Sequence, residues 1–68
     1  MTKYKYNTIN VHGAEEPWSG SFETKELADA WFEKWGNYHI ARGHPLVLVE
    51  YEAKDNEEVE ITLNHEYK

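Results

Sequence analysis

The spacing of apolar positions divides the chain into stretches of period two around one stretch of period 3.6. From Tyr4 to Val11 the residues favour strand, but the alternation changes parity: Tyr4 and Tyr6 share one face, Ile9 and Val11 the other. A bulge near Asn7 and Thr8 reconciles the two sets, and so does a strand buried on both faces. His12 to Pro17 reads as a loop. Trp18 to Glu23 reads as a second strand with Trp18, Gly20 and Phe22 on one face, paired with the first in a hairpin.

Thr24 is placed to cap a helix, its hydroxyl accepting from a first-turn backbone N–H, and Glu26 lies near the positive helix end. Leu27, Ala28, Trp31, Phe32 and Trp35 then fall within about a 140° arc at about 100° per residue, an amphipathic stripe. Glu26, Asp29 and Glu33 share the opposite side, as a solvated face does. Gly36 is the expected stop, because glycine favours the position after a helix. Tyr38 would extend the stripe if the helix ran on toward Gly43.

Leu46 to Ala53 is the clearest strand, and Lys54-Asp55-Asn56 supplies a turn. Glu57 to Asn64 returns with strict alternation, Val59, Ile61 and Leu63 facing one way and Glu58, Glu60 and Thr62 the other. The order β-β-α-β-β predicts one α+β domain over residues 1–68, an antiparallel sheet with one helix packed on one face. The helix stripe is expected to bury against Val47, Val49, Tyr51, Val59, Ile61 and Leu63.

Sixty-eight residues make one small domain, which buries only about 60% of its unfolded surface. Three tryptophans, two phenylalanines and five tyrosines compensate, since each aromatic buries roughly 150–250 Å². The absence of cysteine excludes disulfides, thiolate metal sites and a cysteine nucleophile, and fits a reducing compartment. No apolar leader and no run of membrane-spanning length is present, so a cytoplasmic location is expected. Seven Lys and Arg against thirteen Asp and Glu, a net charge of −6, argue against direct nucleic-acid binding, which needs a cationic surface.

That charge is concentrated. Glu50, Glu52, Asp55, Glu57, Glu58 and Glu60 stand against Lys54 alone, so one hairpin carries a net −5 and the remainder −1. With a three-residue loop, Glu52 falls opposite Glu58 and Glu50 opposite Glu60. With a five-residue loop, Glu52 falls opposite Glu60. Both registers bring carboxylates together across the strands on the face away from the helix, at up to roughly 1 kcal/mol of repulsion per pair. Such acids discourage edge-to-edge aggregation, or form an anionic face that steers a basic partner into place.

Other chemistry is sparse. His39 and His44 lack a specified third ligand, with His12 and His65 elsewhere, so no metal is expected. Ser19 and Ser21 sit in no nucleophile-elbow context, no glycine-rich phosphate loop is present, and no cofactor or catalytic residue is expected. Tyr4, Tyr6 and Trp18 could stack nucleobases, but only Lys3 and Lys5 lie nearby in sequence. Trp18 or Tyr38 at the helix–sheet edge could instead anchor a protein interface, since aromatics are enriched there.

In its compact α+β layout, lack of cysteine, aromatic load and charge concentrated from Glu50 to Glu60, the chain resembles the small acidic proteins that bacteriophages make to disable host machinery. The resemblance spans the chain as layout and charge and transfers no residue. It implies a non-enzymatic inhibitor in the host cytoplasm, a DNA mimic occupying the basic surface of a polymerase, nuclease or defence complex. The alternative is an interaction domain that binds, or dimerises, through an aromatic patch or sheet edge while the acids only solubilise.

Overall fold

The structure, a computed structural model, describes residues 1–54 and 60–68. Four antiparallel strands, β1 (Thr2–Ile9), β2 (Glu15–Pro17), β3 (Leu46–Ala53) and β4 (Glu60–Tyr67), form one sheet in the order β2-β1-β3-β4. The helix between β2 and β3 covers one face, so the β-β-α-β-β, α+β reading holds. No helix among the described residues is long and apolar enough to cross a membrane.

β1 pairs with β3 without interruption from Thr2↔Glu52 to Thr8↔Leu46, so the parity change in β1 is not a bulge. The strand is buried on both faces. Tyr4 and Tyr6 face the helix, where Tyr6 stacks on Trp31 and Phe32 with ring centroids 5.2 and 5.4 Å away. Ile9 packs on the other side with Val47, Val49 and Tyr51.

That arrangement reverses the expected helix contact. The aromatic parity of β1 sets which parity of β3 meets the helix, so Leu46 and Leu48 join Tyr6 and Ala28 in the helix-side core. Val47, Val49 and Tyr51 lie on the far face. Leu46 through Val49 are all buried, a continuous apolar run that suits a strand covered on both sides. Among the described residues no second layer covers the far face; polar side chains do. The Lys5 ammonium sits 4.9 Å from the centre of the Tyr51 ring and 2.8 Å from Glu60. Glu15 Oε1 accepts from Asn7 Nδ2 at 3.2 Å and meets His65 Nδ1 at 3.1 Å, linking the two edge strands across the curved sheet.

The second strand lies earlier than its composition suggests. Glu15–Pro17 pairs with Ile9, Thr8 and Asn7, and within the stretch expected as strand only Phe22 bridges back, to Tyr4. Between them the Ser19 hydroxyl takes the Tyr6 N–H at 2.8 Å, replacing a ladder bond. β4 likewise lies later than expected. Val47↔Tyr67, Glu50↔Asn64, Glu52↔Ile61 and Ala53↔Glu60 are partners, with a bulge at Leu63 where the register shifts. Ile61 and Leu63 are therefore half exposed rather than packed under the helix, while Val59 falls outside the described residues.

Candidate functional site

Thr24 caps the helix as expected, its Oγ1 accepting from the Leu27 N–H at 3.2 Å. The helix does not stop at Gly36. It runs as α1 (Lys25–Trp31), a π turn (Phe32–Gly36) and α2 (Asn37–Ala41). Gly36 serves packing instead: a Cβ there would lie 2.7–2.9 Å from carbons of the Phe32 ring. Termination falls to Gly43, at φ +86°, where the Gly43 N–H donates to the Ile40 carbonyl and the His44 N–H to that of His39, the bonding pattern of a Schellman cap.

The π turn creates the site. In an uninterrupted α-helix, position 38 lies two turns directly along from Trp31. The residue inserted by the π turn gives that place to His39, whose ring stacks on Trp31 at 5.5 Å and 13°, and leaves Tyr38 half exposed. Trp18 arrives from the sheet edge, held where its own N–H and that of Ser19 both donate to the Tyr6 carbonyl. It meets His39 edge-on at 5.6 Å and stacks on His44 at 4.4 Å. Tyr38 meets His39 edge-on at 5.3 Å, so three aromatic rings surround one imidazole.

Around this cluster lie further exposed rings and cations. Trp18, Trp35 and Tyr38 are 38%, 44% and 48% exposed, too much for core residues of so small a domain. The Arg42 guanidinium lies 3.7 Å above the Tyr38 ring and the Lys34 ammonium 5.4 Å from that of Trp35. Among the described residues neither cation has a carboxylate within ion-pair distance.

Trp18 and Tyr38, singled out in the sequence as interface anchors, are thus brought to one imidazole. The platform of Tyr4, Tyr6 and Trp18 does not form, since Tyr6 is wholly buried and Tyr4 packs against the same core. His39 and His44 flank Trp18. Their spacing suggested only metal chemistry, yet with the acid-free run from Lys34 to Val49 it marked this surface. Trp31, Trp35 and Arg42 were not singled out as site residues.

The acidic hairpin does not gather its described carboxylates on one outward face. Glu50 and Glu52 share the helix-side parity of Leu46 and Leu48, whereas Glu60 reaches Lys5 on the far side, because the Leu63 bulge offsets the strands by one residue. Glu50 stands opposite Asn64 and Glu60 opposite Ala53, so neither expected pairing with Glu60 occurs. Asp55, Glu57 and Glu58 lie outside the described residues. Glu52 accepts from the Met1 amino group and from Thr2 Oγ1, contacts that hold its carboxyl below the usual range. Glu50 lines a pocket of about 30 Å³ with Tyr4, Lys25, Leu48, Asn64 and Glu66. That is room for about one water molecule. No protein family, curated protein or solved structure matches the chain.

Proposed function

We propose that the chain is a non-enzymatic protein-binding module that docks its partner on the aromatic flank of the helix, with Trp18, Trp35 and Tyr38 as anchors. The observation that carries this reading is the convergence of Trp18 and Tyr38 on His39, which holds large rings half exposed in fixed orientations. Rigid, partly exposed aromatics contribute most of the energy at protein interfaces because little conformational freedom is lost when they are covered.

A second reading puts the partner-binding role on the acidic hairpin, as in phage inhibitors that occupy a basic host surface. The net −5 between Glu50 and Glu60 supports it. One capture experiment separates the two. Immobilised protein is exposed to bacterial lysate as wild type, as Trp35→Ala/Tyr38→Ala, and as a quadruple glutamine variant at Glu50, Glu52, Glu58 and Glu60. Loss of the captured protein with the aromatic variant alone is the expected outcome. Loss with the glutamine variant alone would move the function to the hairpin.

A further inference from the structure

From the charge around the aromatic flank we infer that its partner presents an acidic polypeptide segment; this rests on the docking role just proposed and names the chemistry of its occupant. Every Asp and Glu of the chain lies outside the run from Lys34 to Val49, which holds Lys34, Arg42, His39 and His44. The helix end and turn from Lys34 to His44, which Trp18 joins from the segment after Glu15 and Glu16, therefore carry cations and no carboxylate within a protein of net charge −6.

Both formal cations are presented for use. Arg42 lies flat on Tyr38 at 3.7 Å, and a stacked guanidinium keeps its N–H edge available to a carboxylate. Lys34 stands over Trp35, also without a carboxylate partner among the described residues. Exposed rings beside unpaired cations match a segment that alternates carboxylates with apolar or aromatic side chains. The charge on the rest of the molecule favours such a segment over single-stranded nucleic acid. Two fixed cations release few counterions, and a phosphate chain extending past the patch meets repulsion from the remaining acidic surface.

The test is nuclear magnetic resonance titration of the intact protein, read at the indole N–H signals of Trp18 and Trp35. The probes are a synthetic twelve-residue Glu-Tyr-Glu-Ala repeat, the same peptide with glutamine for glutamate, and oligothymidine of equal length. The acidic peptide should shift both signals, less so as salt rises. Lys34→Gln and Arg42→Gln should each weaken it about three- to tenfold without changing the melting temperature. Equal shifts from the glutamine peptide would overturn the acidic partner while leaving the docking surface in place. Tighter binding of oligothymidine would overturn it in favour of nucleic acid. If no probe moves the indoles and the capture above is indifferent to Trp35→Ala/Tyr38→Ala, both the partner chemistry and the docking role fail.

Discussion

Tyr6 shows how one side chain links the two layers and carries a penalty in doing so. Its ring is wholly buried between Trp31 and Phe32, and among the described residues its hydroxyl has no hydrogen-bond partner. Burial, with the charges of Asp29 and Glu66 adding to it, pushes the phenol from 10.0 up to about 12. The folded state therefore keeps a proton that the unfolded chain releases. The resulting stability is fully present below pH 10 and is lost as pH rises toward 12. Tyr6→Phe keeps the ring and removes both liabilities. It should match or exceed wild type at neutral pH by on the order of 1 kcal/mol, and its advantage should widen under alkali. Urea denaturation of both proteins at about pH 9 and pH 11 checks this; an advantage that stays constant would contradict the account.

At the scale of elements, the helix turns on Gly36. Replacing an interior helical glycine by alanine normally gains up to about 1 kcal/mol. Here the new Cβ would press on the Phe32 ring, itself stacked on Tyr6 with the Lys68 ammonium 5.5 Å from its centre. Overpacking of this kind costs about 1–3 kcal/mol, so Gly36→Ala should lower stability by about 1–2 kcal/mol in denaturant unfolding. A gain would mean that Phe32 swings aside. The same residue marks where local pattern stopped being enough. Thr24, the helix stripe and β3 were legible because capping, 3.6 periodicity and an apolar run are local signals. A glycine that ends a helix and one that admits a neighbouring ring look alike in sequence. The continuous run at Leu46 to Val49 hid which parity faced the helix, since only the stacking of Tyr6 decides it. Strict alternation in β4 gave no sign of the Leu63 bulge, which appears only in how that strand pairs with β3. Of the site, Trp18 and Tyr38 could be suspected from their types. Their meeting at His39 depends on the π turn, which no residue pattern announced.

Across the whole molecule, the turn that carries His44 and the start of β4 at Glu60 lie at opposite ends of β3: His44 precedes that strand and Glu60 pairs with its last residue. The order of the sheet has a consequence of another kind, for the speed of folding. β1 lies inside the sheet, and its partners on β3 are distant in sequence: Thr2 pairs with Glu52 and Thr8 with Leu46. A helix from 25 to 41 can form locally, but Tyr6 cannot reach it as part of a sheet until most of the chain between β1 and β3 has been closed into a loop. The entropy of that closure must be met before any central-strand contact returns free energy. Stopped-flow refolding should therefore take milliseconds or longer, although the chain is short and rich in helix-side aromatics. Microsecond refolding would mean that the helix and the β1–β2 hairpin assemble a working core without β3.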